Sequence, residues 1–184
     1  MKSEAKVVII GGGVGGCSLL YHLTKLGLSD AVLVEKNELT SGSTWHAAGL
    51  CTQFNPSFNM MKLLQYSVEL YQKLEAETGQ AVDFRRSGSV RLACTPELVE
   101  EFHHRKGIAD SLGIPLEIIS PERAFELFPF FDGDGVLAAA YLESDGYVDP
   151  TGVTMAFAKG ARSRGAEIVR HAQVTGMERS GGST

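Results

Sequence analysis

The sequence predicts an α/β protein with a parallel, largely buried sheet, and three observations carry that expectation. Lys6 to Ile10 is a short apolar run rich in β-branched residues that stops at glycine, as a strand covered on both faces should. Ser18 to Leu26 follows with Leu19, Leu20, Leu23 and Leu26 at helical spacing, and Gly27 closes it. Ala31 to Glu35, AVLVE, reads as a second strand, so one βαβ crossover fills about thirty residues.

The remaining elements follow in order. From Ser41 to Gly49 the chain turns to Gly, Ser, Thr and Ala, a loop of small residues that lets backbone approach a neighbour closely. Tyr66 to Glu77 has a helical pattern, and within Phe84 to Cys94 the run GSVRLAC is strand-like. Pro96 to Leu112 reads as a helix opened by Pro and Glu, and Pro121 to Phe128 as another. Gly135 to Leu142 is strand-like, Asp145 to Pro150 is a turn, and Thr151 to Arg164 is a helix closed by Gly165. Glu167 to Arg170 and Gln173 to Glu178 read as strands, after which SGGST has a turn composition that leaves the last strand without a following element. An N-terminal portion of a longer protein is expected.

Composition removes several classes of function. The chain is 43% hydrophobic and carries 17 Lys plus Arg against 22 Asp plus Glu; the net charge of −5 leaves no electrostatic footprint for nucleic acid. Cys17, Cys51 and Cys94 have no C-x-x-C spacing and cannot all pair, so neither a disulfide scaffold nor a zinc site is expected. No apolar run nears the ~20 residues of a membrane span, and Val7 to Ile10 is too short for a signal peptide. The expectation is a protein with no membrane partner, cytoplasmic in a bacterium or in the mitochondrial matrix of a eukaryote after loss of a transit peptide.

Much of the glycine excess sits in two clusters. The first is VVIIGGGVGGCSLL, which places G-x-G-x-x-G at Gly11, Gly13 and Gly16, after a strand and before a helix. Gly11 allows the tight turn, Gly13 lets backbone reach a pyrophosphate, and Gly16 lets helix pack on strand, while free N–H groups at the helix start face the anion. Glu35, nineteen residues after Gly16, stands where a carboxylate accepts hydrogen bonds from both ribose hydroxyls and repels a 2′-phosphate, so FAD or NAD is favoured over NADP. The motif alone does not choose between FAD and NAD.

The second cluster, TSGSTWHAAGL from Thr40 to Leu50, adds small residues and hydroxyls that an NAD enzyme does not need. With IIGGGVGG, the VEK that ends strand two, LYQKLEAETGQAVDFRRSGSVRLACTPE, ELFPFF and SDGYVDPTGVTMAFAKGARSRGAEI, it resembles the amine-oxidising flavoproteins of the D-amino acid oxidase superfamily, in particular the dimethylglycine and sarcosine dehydrogenase group. The resemblance covers nearly the whole chain. It implies a three-layer, Rossmann-like FAD-binding domain of the glutathione-reductase and D-amino acid oxidase type, formed by residues 1–50 and 150–184. The beginning of a mixed α+β substrate domain is inserted over 51–149. The FAD contacts it implies are Gly11, Gly13, Val14, Gly15 and Gly16, then Glu35 and Lys36. They continue with Gly42, Ser43, Thr44, Trp45, His46, Ala47, Ala48, Gly49 and Leu50, and end with Val174, whose main chain would lie against adenine.

His46 matches the residue that this family joins covalently to the 8α-methyl of FAD, and a neutral imidazole nitrogen is nucleophilic enough for that bond at neutral pH. The reaction implied is oxidation of an N-methyl glycine derivative by hydride transfer to FAD, leaving an iminium that water opens with release of formaldehyde. Electron-transfer flavoprotein or oxygen would accept the electrons, and tetrahydrofolate would enter only through a domain this chain lacks. The resemblance implies that the family's substrate-binding side chains and its final FAD motif lie largely beyond Thr184, so no catalytic residue is assigned and the chain alone is expected to be inactive. Three other readings stay open. One is a regulatory relative of the pyruvate dehydrogenase phosphatase regulatory subunit type, against which His46 argues. The others are a non-covalent FAD amino-acid oxidase and an NAD-dependent dehydrogenase, where SGSTWHAAG would have no task.

Other polar groups have blander readings. His103 and His104 are adjacent on a helix and point about 100° apart, which suits solvent better than a shared metal. Arg85 and Arg86 read as a solvated pair, Asp149 before Pro150 as a helix cap in preference to an acid-base partner of Glu143 and Asp145, and Cys51 as a small buried thiol.

Overall fold

The structure, a computed structural model, describes residues 3–178. In chain order the elements are β1 (Val7–Ile10), α1 (Val14–Lys25), β2 (Ala31–Val34), a 3₁₀ turn at Ser43–His46, β3 (Leu50–Cys51) and α2 (Phe58–Thr78). Then come β4 (Ser89–Ala93), α3 (Pro96–Ser111), β5 (Leu116–Ile119), α4 (Pro121–Leu127), β6 (Ala138–Leu142), β7 (Gly146–Tyr147), α5 (Pro150–Ser163) and β8 (Glu167–Val169). They divide into two units: one of the chain through Ala48, Lys73–Val82 and the chain from Asp149, the other of Gly49–Gln72 and Asp83–Val148.

The first unit is built on a parallel sheet in the order β1-β2-β8, with Val7 opposite Ala31 and Val32 opposite Glu167. The central strand buries Ala31, Val32 and Leu33 in succession, the burial a parallel strand between neighbours requires. Helices α1 and α5 pack on one another, and Tyr21 is fully buried with its ring 5.1 Å from that of Phe157 and 4.9 Å from the Arg164 guanidinium. Small residues of α5 make that approach feasible: a Cβ on Gly160 would stand 2.8 Å from the Tyr21 ring. Asp149 starts α5 by accepting from the amides of Thr151 (3.0 Å) and Gly152 (2.9 Å), so the expected cap is present.

The second unit holds an antiparallel sheet in the order β4-β6-β5 and the short pair β3-β7. Ala93, Leu116, Ala140 and Leu142 form its core with Phe102 and Ala109 of α3 and with Phe54 and Met61. Thr95 and Ser120 cap α3 and α4 through the amides of Leu98 and Arg123, both at 3.3 Å, and each helix begins with proline.

Several expectations are corrected. The run Gln173 to Glu178 is not a strand: its alternation suits one, but among the described residues no strand lies beside it. The terminal SGGST falls outside the described residues. Val8 (57%) and Ile10 (55%) are exposed, so β1 is not covered on both faces; among the described residues it pairs with β2 alone, and it buries Ile9. Helix α1 starts at Val14, within the glycines, because packing at that turn overrides their poor helix propensity. Helix α2 starts at Phe58: Phe58, Met60 and Leu63 are exposed while Met61 is buried, which blurs the helical period. Strands β3, β5 and β7 were not expected: β3 and β7, two residues each, leave no periodicity to read, and the four residues of β5 are squeezed between two helices.

Candidate FAD site on the glycine loop

The turn after β1 is made of backbone. Gly11 holds φ at +109° and donates its N–H to the Val34 carbonyl (2.9 Å), which turns the chain above the sheet. A Cβ on Gly16 would lie 2.0 Å from the Gly11 carbonyl oxygen, so only glycine permits the helix to start this close to the strand; at Gly15 a Cβ would meet nothing within 4 Å. The cap of α1 is Gly13, which offers no side-chain oxygen, and the first turn has no acidic residue. The positive end of the helix dipole is thus left without a carboxylate of its own, a donor set suited to a phosphate.

Glu35 and Thr44 both reach this turn. One carboxylate oxygen of Glu35 accepts the Gly12 N–H (2.7 Å) and the other the Asn37 N–H (2.8 Å). The Thr44 hydroxyl accepts the Val14 N–H at 3.0 Å, and its side chain is buried. The Gly12 carbonyl accepts from Thr40 N–H (3.0 Å) and from the Cys17 thiol (3.7 Å). Burial pushes that thiol up to about 12, so Cys17 is an inert floor under the loop. Glu35 also accepts Ala172 N–H on its carbonyl at 3.0 Å, which anchors the segment that leads to Val174, 38% exposed. Beside it Glu38 takes hydrogen bonds from Arg170 and from His171 Nε2 (2.9 Å), and the Arg170 guanidinium holds its carboxyl below the usual range.

The Gly, Ser, Thr, Ala segment is a loop with one ordered 3₁₀ turn, packed on α5. Gly42, Ser43, Trp45, His46, Ala47 and Ala48 are exposed, and the Trp45 and His46 rings lie 4.3 Å apart. Lys36 is exposed too. Gly49 and Leu50 belong to the second unit, where Gly49 accepts the Val148 N–H (2.9 Å) and Leu50 pairs with Tyr147. The structure therefore gathers Gly11 to Gly16, Glu35 and Thr44 on one turn, with the Trp45–His46 pair next in chain. Thr40, which sequence reasoning passed over, joins them with φ at +70°; its amide contact with Gly12 leaves no sequence signal.

His103 and His104 are exposed, Arg85 and Arg86 pair with Asp83 and Glu143 at the surface, and Cys51 is buried, its thiol pushed up to about 11 by burial. Asp145 is buried and accepts from Gln53 N–H (2.9 Å), Gln53 Nε2 (3.2 Å) and Ser89 Oγ (2.6 Å). Among the described residues no cluster of His, Cys, Asp or Glu could hold a metal, and no helix is long and apolar enough to cross a membrane.

Backbone donors, an α-helix dipole and an acid at the neighbouring strand end define a dinucleotide-binding protein, and the chain belongs to the FAD dependent oxidoreductase family, whose pattern matches residues 6–184. It is 49% identical over 96% of its length to the mitochondrial dimethylglycine dehydrogenase of Rattus norvegicus and 36% identical over 96% to the mitochondrial sarcosine dehydrogenase of Homo sapiens. It is also 36% identical over 97% to the mitochondrial pyruvate dehydrogenase phosphatase regulatory subunit of Mus musculus. The chain spans about a fifth of these relatives: 21%, 19% and 21% of their lengths. Among solved structures, L-proline dehydrogenase from P. horikoshii superposes with a TM-score of 0.88 at 31% identity, over 96% of this chain and 46% of that one.

Proposed function

We propose that the chain is the FAD-binding portion of a flavoprotein dehydrogenase acting on N-methyl glycine derivatives of the dimethylglycine and sarcosine class, with FAD attached through His46. The observation that carries this reading is the convergence of distant segments on one glycine turn, Glu35 at Gly12 and Thr44 at Val14. The amides of Gly13, Gly15 and Gly16 would hold the pyrophosphate, Glu35 the ribose hydroxyls, and the main chain of Val174 the adenine.

Bound FAD supplies the two-electron acceptor for a hydride from the N-methyl carbon of the neutral amine, leaving an iminium that water opens to formaldehyde and the demethylated amine. His46 is exposed and adjoins the glycine turn through Thr44, which suits a nucleophile. Through its imidazole nitrogen His46 would hold the flavin covalently at the 8α position, which would keep the cofactor from dissociating. In turnover the acceptor would be electron-transfer flavoprotein or oxygen, and any transfer of the one-carbon unit to tetrahydrofolate lies outside these residues. The mitochondrial relatives support the same compartment for a eukaryotic chain, with the cytoplasm as the bacterial counterpart.

A regulatory role is the second reading, supported by the phosphatase subunit relative; the Trp45–His46 pair favours the enzyme. Intact mass and visible absorbance of the purified chain, before and after acid precipitation, test the choice. Acid-stable yellow colour and one added FAD mass are expected, both lost in His46→Ala. A colourless chain of unmodified mass would sink the covalent reading.

A further inference from the structure

We infer that Thr40 and Thr44 form a clasp that positions the Trp45–His46 turn against the glycine loop before cofactor arrives. The inference rests on the FAD reading for its ligand and deepens it by giving the Thr44 side chain and the Thr40 backbone a positioning task. Thr44 works in two directions. Its hydroxyl oxygen accepts the Val14 N–H at 3.0 Å, while its carbonyl accepts the Ala47 N–H at 3.1 Å and so closes the turn that contains His46. The side chain is 8% exposed, and a Cβ on residue 13 would stand 3.0 Å from its oxygen, so Gly13 lets the hydroxyl sit this close without displacement.

Thr40 supplies the second tie. Its N–H donates to the Gly12 carbonyl at 3.0 Å while its backbone holds φ at +70°, a left-handed conformation that β-branched residues rarely adopt and that surrounding structure must enforce. Leu39, next to it, packs so closely that a Cβ on Gly12 would lie 2.5 Å from its side chain. Between the ties Ser41, Gly42 and Ser43 are all exposed. A segment fixed at both ends and open in the middle presents its amides and hydroxyls with less ordering left to complete on binding, which strengthens binding without any new contact.

Amide hydrogen exchange of the whole chain without cofactor, for wild type, Thr44→Val and Thr44→Ser, tests the clasp, together with FAD titration by flavin fluorescence. Valine keeps the shape but removes the acceptor; serine restores it. Thr44→Val is expected to speed exchange at Val14 and Ala47 about tenfold, to weaken FAD binding about tenfold, and to leave Val32 and Leu33 unchanged, with Thr44→Ser restoring both readouts. Unchanged exchange in Thr44→Val, failure of serine to rescue, or faster exchange throughout β2 would each overturn the proposal. If wild type itself binds no FAD, the functional reading fails while exchange still decides the clasp.

Discussion

Two corners of the molecule are built from the same parts and arrive at different ends. At the first, Glu35 stands beside a glycine turn in which a Cβ on Gly16 would approach the Gly11 carbonyl to 2.0 Å; at the second, Asp145 precedes Gly146, whose Cβ would approach the Arg85 carbonyl to 2.1 Å. Each carboxylate accepts hydrogen bonds from backbone amides. Asp145 is 1% exposed and spends its oxygens on Gln53 and Ser89, whereas Glu35 is half-buried and gives each oxygen one amide. A carboxylate has room for about four hydrogen bonds, so Glu35 keeps lone pairs for a ligand hydroxyl and Asp145, sealed from solvent, fastens strands. Accessibility, more than residue type, separates a binding acid from a structural one.

Loss of Gly16 breaks the first corner hardest. Gly16→Ala should cost about 3 kcal/mol or more, since the obstacle is a backbone carbonyl that cannot rotate away, while Gly15→Ala, in open space inside α1, should be neutral or stabilising by about 0.5–1 kcal/mol. Urea unfolding of the two variants checks this; equal midpoints would refute it. Next in size, Asp145→Ala strands the Gln53 amide and the Ser89 hydroxyl in the second corner and should cost about 1–3 kcal/mol with FAD affinity unchanged. A loss of flavin binding as large as that of Glu35→Ala would erase the distinction between the corners.

The smallest effect lies in a third carboxylate that serves as a reference. Glu77 accepts from the buried Tyr21 hydroxyl and pairs with Lys25 at 3.2 Å, and the Tyr21 hydrogen bond holds its carboxyl below the usual value while burial pushes the Tyr21 phenol up. A depressed carboxyl contributes stability above its unfolded value near 4.5 and loses it as pH falls through the folded value. A raised phenol contributes below its unfolded value near 10 and loses it as pH rises through the folded one. Melting temperature against pH should therefore fall at both ends, and Glu77→Gln should shallow the acid limb; an identical limb would show that Glu77 adds nothing.

Much of this was legible in sequence for identifiable reasons. The G-x-G-x-x-G run, the apolar strands and the Pro-led, capped helices each rest on local chemistry, so β1, α1, β2, α3 and α4 lie close to their expected places. Position in the sheet is not local: VVII and AVLV read alike, yet β2 is buried and β1 half open because of which strands flank them. Glu35 declared itself by its place at the end of β2, whereas Thr40 did not, because its part is played by backbone geometry that many residues could encode. Asp145 was read as one of several acids near a turn; its burial depends on Gln53, 92 positions away.

The half-open strand also governs how the chain behaves in company. β1 joins an apolar face at Val8 and Ile10 to an edge that pairs with no strand among the described residues, and it carries no charge, proline or bulge to discourage recruitment. Sheet borders of this kind accept a further strand, from the same chain or another, so the segment that launches the glycine loop is also the place where the sheet can be extended.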